Sequence, residues 1–432
     1  MAARRILVTG ASGYIAGKLI PRLLAAGHSV RCMVRTRDKI AYRPWANQVE
    51  IMEADVSQPE TLPAALAGID SAYYLIHNMS SGHGYQKIEL AGAEAFALAA
   101  AQEGVQHIIY LGGLADPEDK IAPHMRSRIE TGITLRQHPV PVTEFRAGVI
   151  VGPGSISFEM IRYICEQFPI LVGPDWLKNH SQPISAENVI DYLTAALENW
   201  NGHGQVFEIG GPERFTYAEV MRIFARLRGF QRPIVMFPFL PTALMAFIVG
   251  QLTPVPEKIA HPLIEGLKSD SIVKDPKALT VFPEIQPTEY RQAVRDSLDK
   301  LHPNHLDRVW VSGVKDIQRL KHEGFFVTCL HIPVPEVPGQ AIAQLAGFAQ
   351  EKLEGYKIEM RLENSILLRH EGSTGTHWLE WQIIAGNPGG HFLRQTGFYA
   401  PRGMPGFIRS WLWHLQVKRI YQQVCARVCE TP

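Results

Sequence analysis

The stretch that decides the fold is RILVTGASGYIAG, Arg5 to Gly17. Arg5–Thr9 reads as a short buried strand, and Tyr14–Ala26 as an amphipathic helix closed by Gly27. Between them, Gly10 permits a tight turn and Gly13 lets the backbone approach a pyrophosphate. Ala16, with Gly17 beside it, allows close helix–strand contact. The helix start then offers N–H groups and a positive dipole end to phosphates, with Ser12, Tyr14 and Ile15 in the same turn. The spacing is GxxGxxA. Pro21, inside the helix, is expected to kink or crowd its early turns.

Further along, Ser29–Val34, Val49–Glu53, Ser71–Ile76, His107–Leu111 and Val142–Ala147 read as strands. Helical stretches separate them, most clearly Gly84–Glu103, where Leu90, Ala93, Phe96 and Ala97 share a face. Strands separated by helices predict an α/β fold, a Rossmann-type doubly wound parallel sheet.

The second strand ends in MVRTRDK. An acidic residue there would hold a ribose 2′-hydroxyl and select NAD. Arg35 stands there instead, followed by Arg37 and Lys39. Guanidinium groups make charge-assisted, bidentate bonds to a 2′-phosphate, so NADP(H) is expected in preference to NAD(H).

The 432 residues carry 43 Lys+Arg against 42 Asp+Glu, a net charge of +1. That balance argues against a nucleic-acid binder. With 46% hydrophobic and 20% charged residues the chain can bury large cores. Five scattered cysteines fit no disulfide framework and suggest a reducing compartment; a cytoplasmic location is expected. The apolar run Ile6 to Val8 is too short for a signal-peptide core.

TGASGYIAGKLIPRLLAAGHSVRCMVR resembles the opening of an atypical short-chain dehydrogenase/reductase of the NmrA-like or extended type. EADVSQPETLPAAL resembles that family's next segment, which implies that Asp55 and Val56 lie beside the adenine. AYYLIHNMS resembles the fourth-strand end that lines the cofactor, implicating Leu75, Ile76 and His77. FEIGGPERFTYAEVM and EYRQAVRDSLDKL resemble the substrate-side half of extended members. The resemblance covers roughly residues 4 to 302.

Typical members use Ser, Tyr and Lys, the last two spaced YxxxK. Here the Ser position falls in Gly112-Gly113. His124-Met125-Arg126-Ser127-Arg128 places His124 where Tyr would be and Arg128 where Lys would be. His serves as acid or base near neutral pH, and Arg binds ribose or phosphate. His124 and Arg128 are therefore the candidate catalytic residues, against the alternative of a site that only binds cofactor.

Downstream, Gly152-Pro153-Gly154 breaks the chain before a helix near Ser157. Phe158, Met160 and Ile161 are candidates to line a substrate pocket. Ser185 is expected to cap a helix. From Pro233 to Pro256 there is no charge, yet prolines leave a helix of only about 12 residues between Pro241 and Thr253, roughly 18 Å against a bilayer core of ~30 Å. A buried or pocket-lining helix is expected over a membrane contact.

A second domain is expected at 306–432, after a dinucleotide-binding domain at 1–305. His302 and His305 have no partner at metal-ligand spacing, and no metal site is expected. Phe325–Pro335 reads as β, Gly339–Leu353 as helix, then Lys357–His370, His377–Ala385 and His391–Tyr399 as strands, with the clearest turn at Asn387-Pro388-Gly389-Gly390. A helix of about Met404 to Cys429 closes the chain, its apolar side read as Ile408, Trp411, Leu412, Leu415, Val424 and Val428. This predicts an α+β layer, with a helix-grip cavity as one option. Trp378, Trp381, Trp411 and Trp413 line that cavity or fill a core. HFLRQTGFYAPRGMPGFIRSWLWHLQVKRIY resembles a domain of unknown function found behind atypical short-chain dehydrogenases.

Three functions follow from these readings: an NADP(H)-dependent oxidoreductase for a small or lipophilic molecule, a non-catalytic dinucleotide-binding sensor, or an epimerase or isomerase of the extended type.

Overall fold

The computed structural model describes residues 3–41, 43–77, 85–119, 121–238, 240–252, 257–303, 318–322, 325–334, 338–386 and 390–429. The chain divides into two compact units, Met1–Cys165 with Ile170–Leu301, and His302–Pro432 with Glu166–Pro169.

The first unit begins with β1 (Arg5–Thr9), α1 (Tyr14–Ala25), β2 (Ser29–Val34), β3 (Glu50–Glu53), α2 (Leu62–Leu66), β4 (Ser71–Tyr74) and α3 (Tyr85–Gln102). It continues through β5 (His107–Gly113), α4 (Pro123–Arg136), β6 (Val142–Ala147), β7 (Ile150–Val151), α5 (Ile156–Gln167), β8 (Leu171–Gly173), β9 (His180–Ser181), β10 (Ile184–Ser185) and α6 (Ala186–Ala195). Then come β11 (Val206–Ile209), β12 (Phe215–Thr216), α7 (Tyr217–Leu227), β13 (Ile234–Met236), α8 (Thr242–Leu252), α9 (Glu257–Gly266), α10 (Ala278–Val281) and α11 (Tyr290–Asp299).

Seven strands form one sheet in the order β11-β6-β5-β4-β1-β2-β3, every neighbouring pair parallel. Both faces are buried, which explains the apolar runs in place of alternation. On β1, Ile6 and Val8 join a core with Leu19 and Leu23 of α1 and Val189 and Leu193 of α6. Leu7 joins the opposite core, with Leu66 of α2 and Phe96 and Ala97 of α3. Chain order reverses between β1 and β4, and a crevice outside their carboxyl ends is where such sheets bind ligands.

Helix α1 runs unbroken through Pro21. Ser185 caps α6, its side chain accepting from the Asn188 N–H at 3.0 Å. Phe158 does not line a pocket: it is fully buried and packs edge-on against Phe224, with centroids 5.8 Å apart. α8 has the expected length and lines a pocket through Met245 and Val249, while Leu244, Phe247 and Ile248 on its other side are exposed.

The second unit holds β14 (Gln318–His322), β15 (Phe325–Val334), α12 (Pro338–Lys352), β16 (Lys357–Arg361), β17 (Ser365–Gly372), β18 (Gly375–Gly386), β19 (Gly390–Pro401) and α13 (Gly403–Cys429). Its strands form an antiparallel sheet in the order β14-β15-β19-β18-β17-β16. The stretch 357–370, read as one strand, is two, because the chain reverses between Arg361 and Ser365 to pair β16 with β17. The turn at 387–389 lies outside the described residues.

Among the described side chains, the buried face of α13 shares only Val424 with the sequence reading. Trp413, Val417, Ile420 and Val424 face the sheet, while Ile408, Leu412 and Leu415 are exposed. Positions 413, 417, 420 and 424 keep the i, i+4, i+7, i+11 spacing of a single stripe. Trp378, Trp381 and Trp413 are core residues, each at most 3% exposed, and so do not line an open cavity. The side chain of Trp411 and residue His305 lie outside what is described.

Candidate functional site

The β1–α1 turn is shaped by what a side chain would strike. Gly10 has φ +60°, and a Cβ there would stand 2.7 Å from the Leu75 carbonyl oxygen. Leu75 is pinned by its N–H, which donates to Thr9 Oγ1 at 3.0 Å. The turn closes through Gly13 N–H to the Gly10 carbonyl at 2.7 Å. Gly13 is the N-cap of α1 and supplies no side-chain cap, so the first-turn N–H groups remain for an anion. Ile15 packs against the core beneath, so it serves the turn through its backbone. Tyr14 places its phenol oxygen against Gly152.

Arg43, which the sequence reading missed, presses on this turn. Its guanidinium stacks over Trp45 at 5.6 Å, reaches the Ser12 carbonyl at 3.5 Å, and sits where a Cβ on Gly17 would come within 2.9 Å. It is 8% exposed, so a buried positive charge backs the loop. In AYRPW it has no periodic or motif signal.

At the end of β2, Arg35 and Arg37 are exposed. Arg37 is committed elsewhere: its guanidinium donates to the Ile51 carbonyl at 3.0 Å and its N–H to Glu53 at 2.6 Å. Lys39 is the closer companion of Arg35. Burial lowers the Lys39 pKa, the Arg35 charge lowers it further, and Asp55 opposes both. Asp55 lies two residues beyond β3, its carboxylate accepting from the Ser57 N–H at 3.0 Å. Val56 is buried against Gly92 of α3.

His77 follows β4 beside Ile76, and its Nδ1 meets Glu89 Oε1 of α3 at 2.8 Å. The other Glu89 oxygen accepts from the Ser127 hydroxyl. Neither Glu89 nor Ser127 was singled out in the sequence. The signal was available: Glu89 precedes Ala93, Phe96 and Ala97 by four, seven and eight positions, a charge on the buried stripe. Burial lowers the His77 pKa, Arg128 adds to this, and Glu89 opposes it.

Arg128 donates to the Leu111 carbonyl and lies 5.7 Å from the Tyr110 ring centroid, whose hydroxyl donates to the Arg128 carbonyl at 2.8 Å. The family serine has no counterpart at Gly112-Gly113; a Cβ at Gly113 would be 2.7 Å from the tip of the flexible Met125 side chain, which would have to move aside.

His124 is 5% exposed, and its Nδ1 has no hydrogen-bond partner among the described residues. Burial, then the nearby His77 and Arg128, bring its pKa down to about 3, so it is neutral at pH 7. Its ring lies against Gly266 and borders a cavity of about 140 Å³. Met160, Ile161 and Ile164 of α5, Met245 and Val249 of α8, and Leu263 and Ile264 of α9 line that cavity, with Ser157, Ser269 and Ser271 as polar points. A volume of this size takes a ring-sized apolar group. Among the described residues no metal-binding cluster occurs.

Comparisons with known proteins agree with this geometry. Residues 10–131 match the NAD(P)H-binding family. The photosystem II assembly factor Ycf39 of Trieres chinensis is 23% identical over 251 residues, covering 57% of this chain and 76% of that protein. An NAD(P)H azoreductase of Xenophilus azovorans is 25% identical over 235 residues, covering 53% and 75%. The Citrobacter triphenylmethane reductase complexed with NADP(H) superposes with a TM-score of 0.54 at 21% identity, over 68% of this chain and 99% of its own. An NADPH-dependent quinone oxidoreductase from Escherichia coli complexed with NADPH gives 0.55 at 17%, over 67% and 99%. These structures share the fold of the first unit. Over residues 10–131 the chain carries an NAD(P)H-binding domain, in a fold that the first unit shares with these reductases.

Proposed function

We propose that the protein is an NADP(H)-dependent oxidoreductase acting on a lipophilic small molecule. The observation that carries this reading is the apolar cavity bordered by the buried imidazole of His124. A substrate seated there buries a ring-sized apolar part and offers one polar atom to the imidazole. When bound, the nicotinamide supplies the hydride. Gly10, Ser12, Gly13, Tyr14 and Ile15 would hold the pyrophosphate through the turn and helix start, and Leu75, Ile76, Asp55 and Val56 would flank the rest of the dinucleotide.

Arg35, with Lys39, supports the 2′-phosphate form over NAD(H). His124, neutral at working pH, orients a substrate oxygen by hydrogen bond and is not a cationic acid. Arg128, held by the Leu111 carbonyl and Tyr110, would bind ribose or phosphate. Several reductases among the similar proteins support the oxidoreductase reading.

A second reading, a non-catalytic NAD(P)H-binding sensor, draws on the glycines that stand at the serine position, Gly112-Gly113. NADPH oxidation across a panel of lipophilic carbonyls, enones and quinones separates the two. Turnover with any member supports the oxidoreductase. Tight NADPH binding with no turnover across the panel supports the sensor.

A further inference from the structure

Reduction of a carbonyl consumes one hydride and one proton, and the proton needs a donor. His124 is a poor one, because it is neutral at pH 7. The Tyr110 hydroxyl is engaged with the Arg128 carbonyl at 2.8 Å, and burial raises its pKa. His77 differs from both. It lies two residues beyond Leu75, whose carbonyl oxygen abuts Gly10 of the phosphate turn. It therefore stands at the carboxyl end of β4, beside the reversal between β1 and β4. It is also close enough to His124, which borders the cavity, to lower the pKa of that imidazole.

The ring is held as an acid–base group is held. Its Nδ1 meets Glu89 Oε1 at 2.8 Å, and the Ser127 hydroxyl donates to the second oxygen of that carboxylate. The His77 side chain is 19% exposed and that of Glu89 is 6% exposed, so the carboxylate is buried behind a ring that keeps an open side. Nε2 makes no hydrogen bond among the described residues. A carboxylate on Nδ1 fixes the tautomer and stabilises the imidazolium when Nε2 takes a proton. The charged and titratable groups that act on the ring are Glu89 of α3 and Arg128 and His124 of α4. Burial and the Arg128 charge disfavour the imidazolium, and Glu89 opposes them. The cation is therefore a stronger acid than a free imidazolium.

We propose that His77 is the proton-transfer residue of the reduction, with Glu89 and Ser127 as the residues that position it. The assignment rests on the oxidoreductase reading. As the hydride of the reduced nicotinamide reaches the carbonyl carbon, the π pair moves to oxygen. That oxygen takes the proton from His77 Nε2, the N–H pair returns to the ring, and the Nδ1 proton stays with Glu89. Solvent then reprotonates Nε2.

Two measurements on the full chain test this. The first is the pH dependence of NADPH oxidation with the carbonyl, enone and quinone panel. The wild-type kcat/KM should fall as pH rises through neutrality. His77→Asn should lose roughly a hundredfold at pH 7 and give a flat profile. Glu89→Gln, which keeps a hydrogen-bonding side chain without the charge, should lose at least tenfold and move the profile to lower pH. Added imidazole should restore part of the activity of His77→Ala. NADPH binding by each variant shows that the fold is kept. The second measurement needs no acceptor: heteronuclear NMR of the histidine-labelled chain. The resonance missing from His77→Asn should show the Nδ1–H tautomer and take up its second proton at a higher pH than in Glu89→Gln. An Nε2–H tautomer, or a titration that Glu89→Gln leaves unmoved, overturns the proposal. Wild-type turnover and pH profile kept by His77→Asn overturn it too, and leave the oxidoreductase reading standing. No turnover by the wild type removes that reading, and the proposal falls with it.

Discussion

His77 Nδ1 lies 2.8 Å from Glu89 Oε1, and the hydroxyl of Ser127 donates to the other oxygen of the same carboxylate. The carboxylate accepts from both, so the His77 proton is on Nδ1 and Nε2 is left as an acceptor. Three elements, the end of β4, α3 and α4, are thereby tied together beside Gly10.

Removing Glu89 strands two buried partners. Glu89→Ala is expected to cost about 1–3 kcal/mol of stability, and Ser127→Ala less, because it leaves the His77 bond in place. Urea denaturation of the two variants checks the order. A Ser127→Ala loss equal to that of Glu89→Ala would contradict it.

The buried histidines set an acid limit. The folded-state pKa of His124 is about 3 against 6.5 in the unfolded chain, and that of His77 is also lowered. A depressed pKa means that the unfolded state binds more protons, so stability is fully present above pH 6.5 and falls as pH drops below it. For His124 alone the loss is roughly 2 kcal/mol by pH 5. His124→Asn should flatten the stability profile between pH 6.5 and 5. An unchanged slope would mean that His124 is not buried as described.

Arg35 and Arg37 looked alike in the sequence, and the structure separates them. Arg35→Ala should lower NADPH affinity relative to NADH by about tenfold or more, the scale of a charge-assisted hydrogen bond. Arg37→Ala should change the ratio little, since its guanidinium is held by the Ile51 carbonyl. Lys39→Ala should fall between them. Isothermal titration with both nucleotides gives all three ratios.

Glu144 of β6 is fully buried between Arg136 and Arg146, the latter at 2.7 Å. Gly132 abuts the carboxylate so closely that a Cβ there would strike Glu144 Oε2, and at Gly112 the fit is tight, 3.2 Å to Oε1. Glu144→Ala leaves two guanidinium groups uncompensated and is expected to cost about 3–5 kcal/mol. Thermal unfolding with cofactor absent and present shows whether the loss is general or local to the site.

The parallel sheet, the glycine turn and the basic end of β2 were legible because each is a local signal: a strand, a turn type, a charge at a fixed offset. What was not legible is tertiary. Arg43 reaches the turn from a loop with no period, and only the fold shows that Gly17 makes room for it. The exposure of Leu244, Phe247 and Ile248 could not be read either, because an evenly apolar helix carries no mark of which side is covered. On α13 the stripe at Ile408, Leu412 and Leu415 has the same spacing as the buried one, so composition alone could not separate the two, and only Val424 was placed on the covered side.

The most direct measurement is NADPH oxidation with an apolar ring-bearing carbonyl or quinone, comparing the wild type with Val249→Trp, which fills the cavity while leaving the glycine turn intact. The account predicts turnover by the wild type and at least a tenfold loss of kcat/KM in the variant, with NADPH affinity unchanged. Equal turnover by both proteins would contradict it, because the substrate would then be reduced somewhere other than beside His124.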